Sequence, residues 1–143
     1  LAAASRLGIK QAIPPDLLGE VNFFDLAIEL SGNGQGLQSA IDCTRKGGKI
    51  VVGSWYGKSP FSLKLGIDFH RSFKTIQATQ VSDIPSSLSM TWSKHRRFGL
   101  TWDTLKQLKP SRFISKYATL EDCQQAYESL QNSVETVIAF TYA

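Results

Sequence analysis

Apolar and polar positions along the chain switch repeatedly between a strand-like and a helix-like period. Phe24-Asp25-Leu26-Ala27-Ile28-Glu29-Leu30 reads as a strand, stopped by the cluster Ser31-Gly32-Asn33-Gly34-Gln35-Gly36. After it, Leu37, Ala40, Ile41 and Thr44 fall at i, i+3, i+4 and i+7, one face of a helix. That helix is expected to end at Lys46-Gly47-Gly48, with Arg45 and Lys46 placed to favour its negative end. Lys49-Ile50-Val51-Val52 is then a largely β-branched run stopped by Gly53. A strand, a helix and a strand with short connections predict parallel pairing and a right-handed crossover.

The flanks repeat the alternation. Residues 1–8 are strongly helix-forming, with Gly8 where a left-handed cap would sit, but no capping residue precedes Leu1 and no initiator Met is present. The segment reads as the end of a helix cut through its middle, so a truncated chain is expected. Gln11-Ala12-Ile13 is a short strand candidate, Pro14-Pro15 a break, and residues 16–20 a helical turn. Downstream come an extended piece over 61–65, a short helix over 66–72, a strand over 74–80 and a polar loop over 81–93 containing Pro85. A longer helix follows in which Phe98, Thr101, Trp102, Leu105 and Leu108 share a face, closed by Pro110. Phe113-Ile114 opens an extended piece, and Thr119-Leu120-Glu121-Asp122 resembles a capping box with Asp standing for Glu. Leu120, Cys123, Ala126, Tyr127 and Leu130 make an apolar helical stripe, and residues 136–140 a last strand. Neither an internal repeat nor a low-complexity segment interrupts the order, which predicts an α/β protein on a mostly parallel sheet.

With 42% apolar and 20% charged residues over 143 positions, the chain can bury one core. A net charge of +4 is too small to imply a polyanion-binding surface without clustering. The densest basic run, Lys94-His95-Arg96-Arg97, reads as a solvated helix start rather than a phosphate contact. It neither recurs nor interleaves with aromatics, so no nucleic-acid partner is expected. Cys43 and Cys123 suit two reduced thiols in a cytosolic protein, with a single long-range disulfide left open. No run approaches the roughly 18 apolar residues of a membrane span, and the default expectation is soluble, cytoplasmic and without a membrane partner.

The glycine cluster is the first candidate for chemistry, because a strand running into glycines and then a helix can offer backbone N–H groups to a phosphate. Its spacing is G-x-G-x-G, and Leu37 stands where G-x-G-x-x-G requires glycine. The next strand leads into Gly53-Ser54-Trp55 rather than a ribose-binding acid. The cluster therefore fits a later turn of such a sheet better than the pyrophosphate loop; the alternative is a merely tight connection. Gly53 is likewise either a point of close ligand approach or a needed turn. His70 and His95 have no metal-ligand spacing to each other or to a cysteine, and no G-x-S-x-G nucleophile turn occurs. Trp92 and Trp102 are expected to be packing residues.

The run from Phe24 through Gly32, then Leu37-Gln38-Ser39-Ala40-Ile41, then Gly47-Gly48-Lys49-Ile50-Val51-Val52-Gly53, resembles the later cofactor-domain strands of the medium-chain, zinc-type alcohol-dehydrogenase-like dehydrogenases. The stretch from Leu120 to Leu130 resembles that family's closing helix, and residues 136–142 its closing strand. The resemblance spans nearly the whole chain. Phe69-His70-Arg71, Gln80-Val81 and residues 92–97 are similar to the bacteriochlorophyllide hydroxyethyl dehydrogenase-like branch.

This resemblance implies an α/β chain that is the C-terminal part of a Rossmann-like, doubly wound parallel sheet. Residues 1–112 would be a partial nucleotide-binding domain lacking its first strands, and 113–143 a segment returning toward an absent catalytic domain. Ser31 and Gly32 would border the adenosine side of NAD or NADP; Val52, Gly53 and Ser54 the nicotinamide ribose; Ala78, Thr79 and Gln80 the nicotinamide. Where some members carry an arginine for the pyrophosphate, the matching position is Glu135, which implies that this contact is absent or that the alignment shifts by a residue or two. The glycine-rich first turn, the ribose-binding acid, the zinc ligands and the proton relay would all lie upstream, so no catalytic and no metal-binding residue is assigned. The parent would be a homo-oligomer moving a hydride between the cofactor and an alcohol or ketone, with zinc possible in the parent but no ligands for it in this chain, and this piece alone would be inactive. Residues 24–30 would form an exposed sheet edge. Two other classes stand beside this one: a non-catalytic interaction module using that edge, and an S-adenosylmethionine-dependent methyltransferase.

Overall fold

Ile41 and Ile50 are withdrawn completely from water, and the fold of residues 13–85 is organised around them. The structure, a computed structural model, describes residues 4, 8–14, 17–18, 24–58, 60–132 and 135–142. It divides into two units, one of Ile13–Pro85 and one joining Leu1–Ala12 to Ser86–Ala143. The expected helix over residues 1–8 and turn over 16–20 lie mostly outside the described residues.

In the first unit, strand β1 (Phe24–Glu29) runs parallel to β2 (Thr44–Val52), which runs parallel to β3 (Thr75–Ala78), in the order β1-β2-β3. Helix α1 (Gly34–Cys43) links β1 to β2. The period-two geometry of strands explains which side chains meet it. Ala27, Ile50 and Ile76 lie in register across the sheet and, with Val52, pack against Leu37, Ala40 and Ile41 of α1. Each fully buried aliphatic side chain in this layer contributes about 1.5–3 kcal/mol. Leu26 and Ile28 have the opposite parity and remain 50% and 63% exposed. β1 is an edge strand among the described residues, as the sequence leads one to expect.

The helix-to-strand junction differs from the expected one. α1 ends at Cys43, and Thr44 is already extended, with its hydroxyl donating to Ala40 O at 2.6 Å and its backbone N–H to Ile41 O. Residues 45–48 therefore belong to β2, where pairing jumps from Phe24↔Thr44 to Leu26↔Lys49. Gly47 takes φ +72° inside that irregularity and donates to Ser72 O at 2.7 Å. Arg45 pairs with Asp25 of β1 rather than with the helix end. The cation that meets the last turn of α1 is Lys74, whose buried ammonium donates to Ile41 O at 2.7 Å and pairs with Asp68. Asp68 lies on the single π-type turn Leu65–Phe69, where a short helix is expected. Residues 11–13 form no strand: Gln11, Ala12 and Ile13 are exposed and unladdered, and three residues without a neighbouring strand cannot hold β geometry.

In the second unit, α2 (Lys94–Leu108) is capped by Ser93, whose hydroxyl accepts from Arg96 N at 3.1 Å, and ends at Lys109 in the left-handed region, followed by the 3₁₀ turn Pro110–Phe113. The basic run at its start is largely solvated, with Arg96 folded over the Trp92 ring at 4.5 Å. Trp102, expected to be a packing residue, is 62% exposed, and the helix buries no side chain. β4 (Lys116–Ala118) pairs parallel with β5 (Ile138–Phe140), and α3 (Cys123–Gln131) connects them, with Ala118 and Ala126 buried. The extended piece expected at 113–114 begins at 116 because the 3₁₀ turn occupies Phe113. The capping box does not form: the Thr119 hydroxyl bonds the Asp122 carboxylate at 3.1 Å and the helix starts after Asp122. Cys43 and Cys123 are both free thiols.

Candidate functional site

Because β1, β2 and β3 are parallel, their carboxyl ends come to one edge, and Glu29, Val52 and Ala78 are register partners there. The ladder continues one step beyond the strands: Gly53 N donates to Glu29 O at 2.9 Å, and Thr79 N to Val52 O at 2.9 Å. The edge thus gathers Ser31 and Gly32 after β1, Val52, Gly53 and Ser54 at the end of β2, and Ala78 and Thr79 at the end of β3. Gln80 follows Thr79 and is exposed. In open parallel sheets this edge is where ligands bind.

Two glycines have specific steric reasons. Gly32 adopts φ +66°, and a Cβ there would lie 2.9 Å from Trp55 O, so the turn after β1 touches the backbone after β2. A Cβ at Gly36 would fall 2.2 Å from Ser31 Oγ. Between them Asn33 caps α1, accepting from Gln35 N at 2.8 Å. The cluster is a tight connection, and the same tightness brings two loop backbones together at the sheet edge.

Glu29 is a member of this edge that the sequence alone does not reveal. It is 4% exposed and lies on the covered face with Ala27. One carboxylate oxygen accepts from the Ser31 hydroxyl and, at 2.6 Å, from Ser31 N; the other accepts from Ser54 and Tyr56. Burial pushes the carboxyl pKa up, but these donors outweigh it and hold it at about 2. Tyr56, whose ring is tilted against Phe61 at 5.0 Å between centroids, is pushed up by burial and by its bond to the Glu29 carboxylate. No local pattern signals it: alternation groups Glu29 with Asp25 and Ala27, opposite Leu26, Ile28 and Leu30, so the face the sequence alone would bury is the one the structure leaves exposed.

An open groove of about 640 Å³ runs beside β1 and α1, lined by Leu26, Ile28, Leu30, Ser31, Ser39 and Cys43 among others. Burial pushes the Cys43 thiol up, which makes it an inert lining group at neutral pH. Among the described residues no three His, Cys, Asp or Glu side chains converge as a metal site, and His70 and His95 are both exposed. No described helix is long and apolar enough to cross a membrane.

No family model and no curated protein sequence matches the chain. Its fold is shared with solved structures. Benzyl alcohol dehydrogenase from Acinetobacter calcoaceticus superimposes with a TM-score of 0.65 at 16% identity, over 94% of this chain and 36% of that one. The Escherichia coli K-12 protein YhdH, solved with NADPH bound, gives 0.64 at 15% identity over 97% and 42%. Bacillus subtilis YhfP, solved with NAD bound, gives 0.63 at 15% over 99% and 43%. The chain spans less than half the length of these structures, and what they share with it is an α/β arrangement of parallel strands and helices.

Proposed function

We propose that these residues are part of the nicotinamide-dinucleotide-binding region of a medium-chain, alcohol-dehydrogenase-like oxidoreductase acting on a small alcohol or ketone. The observation that carries this reading is the convergence of three parallel strand ends, with the Gly32 turn pressed on the Trp55 backbone at their carboxyl edge. Such an arrangement admits a flat, polar ligand along the strand ends. Support also comes from the shared fold of structures solved with NADPH and NAD. Ser31 and Gly32 would border the adenosine half, Val52, Gly53 and Ser54 the nicotinamide ribose, and Ala78, Thr79 and Gln80 the nicotinamide. The cofactor supplies the hydride chemistry; these residues orient it and limit water. The described residues do not fit a zinc site, so no step is assigned to a metal. We further propose that the residues completing the reaction lie outside these 143, and that the chain alone binds cofactor without turnover.

Titrating the chain with NADH and NADPH tests both parts. Saturable binding of either, without oxidation in the presence of small ketones, is expected. Turnover would overturn the claim of incompleteness, and absence of binding would overturn the cofactor site. A second reading, a module that pairs a partner strand on β1, is favoured by the position of that strand at the sheet edge with Leu26, Ile28 and Leu30 exposed. A strictly monomeric chain by light scattering that binds no hydrophobic dye would remove it.

A further inference from the structure

A carboxylate taken out of water persists only where its lone pairs are filled, and Glu29 has about four acceptor sites meeting four donors. The donors come from two different loops. Oε1 serves Ser31 in the turn after β1, while Oε2 serves Ser54 and Tyr56 in the loop after β2. The connection extends further, because Ser31 Oγ, donating to Glu29, accepts from Asn33 N at 3.1 Å, and Asn33 Oδ1 accepts from Gln35 N at 2.8 Å. One buried side chain therefore fixes the loop that holds Gly32, the loop that follows Gly53 and the first turn of α1. Gly36 leaves the room it needs, since a Cβ there would also lie 3.3 Å from Glu29 Oε1.

We propose that Glu29 is a positioning residue for the dinucleotide: it clamps the 31–33 and 54–56 loops so that the backbones at Gly32 and Gly53 keep the spacing the cofactor requires. The inference rests on the cofactor reading above and deepens it. The charge matters as well as the shape. Glu29→Gln turns one acceptor oxygen into a donating NH₂, so the Ser54 and Tyr56 hydroxyls must turn round to accept from it and the charge-assisted bonds that hold both loops to one carboxylate are lost.

The test measures two things on the full chain: hydrogen exchange at the Ser31 and Asn33 amides, and dissociation constants for NADH and NADPH. In Glu29→Gln, with the circular dichroism spectrum retained, exchange at both amides is expected to accelerate and both dissociation constants to rise roughly tenfold. Tyr56→Phe, which leaves three donors and the ring packing, should raise the dissociation constants roughly threefold and carries the test if Glu29→Gln does not fold. Unaltered exchange in a folded Glu29→Gln overturns the clamp. Accelerated exchange with unaltered affinity overturns its positioning role. A wild-type chain that binds neither dinucleotide overturns the cofactor reading and the positioning role with it, while the exchange data report separately on the clamp.

Discussion

In the sheet unit, α1 lays Leu37, Ala40 and Ile41 on Ile50, and Ile41 is removed entirely from water; in the other unit, α2 leaves Phe98, Trp102 and Leu108 more than half exposed. Both helices carry an apolar stripe at helical spacing. The difference lies in their connections. α1 is tied to parallel strands at both ends, so the crossover itself supplies a sheet to cover it. α2 is entered from a loop and left through a 3₁₀ turn, and what orders its ends is local: the Ser93 cap on Arg96 N and the Lys109 backbone N–H on Leu105 O. Periodicity predicts a helix, whereas burial depends on what the chain places opposite it.

The sharpest way to break this contrast is to remove packing where it is densest. Ile41→Ala should lower the unfolding free energy by about 2–5 kcal/mol in urea titrations. A loss below about 1 kcal/mol would mean that the α1 layer is not a packed core. Acid titration probes the polar end of the same layer. The folded carboxyl of Glu29 sits at about 2 against an ordinary 4.5, so the unfolded chain binds that proton more readily. Its stabilisation is complete above pH 4.5 and declines as pH falls toward 2, by about 3 kcal/mol in total. Glu29→Gln should flatten that part of the pH profile, and parallel profiles for the two proteins would refute the assignment. Gly36→Ala drives a methyl into Ser31 Oγ and should cost about 1–3 kcal/mol by the same urea measurement. A neutral effect would show that the turn has slack. At the other extreme, Trp102→Ala should change stability by no more than about 0.5 kcal/mol. A cost of several times that would reveal a covered α2 face and erase the contrast with α1.

The strand-helix-strand unit was legible because its signals agree: β-branched strands, a helical stripe and glycines at the junctions. The boundaries were less legible where two residues compete for one role. Thr44 occupies a helix-face position by spacing, yet its branched side chain closes the helix through a bond to Ala40 O and leaves Arg45 to pair across strands. Gln11-Ala12-Ile13 has strand composition but no ladder to join, which no local pattern reveals. At the candidate site, parallel topology accounts for the strand ends meeting at one edge, while the individual residues from Ser31 to Gln80 were suggested only by the family resemblance. Glu29 is not legible that way: its role rests on hydroxyls 25 and 27 positions away, and strand parity points the other way.

The contact between position 36 and the hydroxyl of Ser31 also bears on how this sequence can drift. While the Ser31 hydroxyl keeps this rotamer, a methyl at position 36 meets it, so alanine there costs least once position 31 has lost its side chain. Changing position 31 first is the cheaper order. A Ser31→Gly background is therefore the route by which alanine becomes acceptable at 36, at the expense of the bond that Ser31 gives to Glu29.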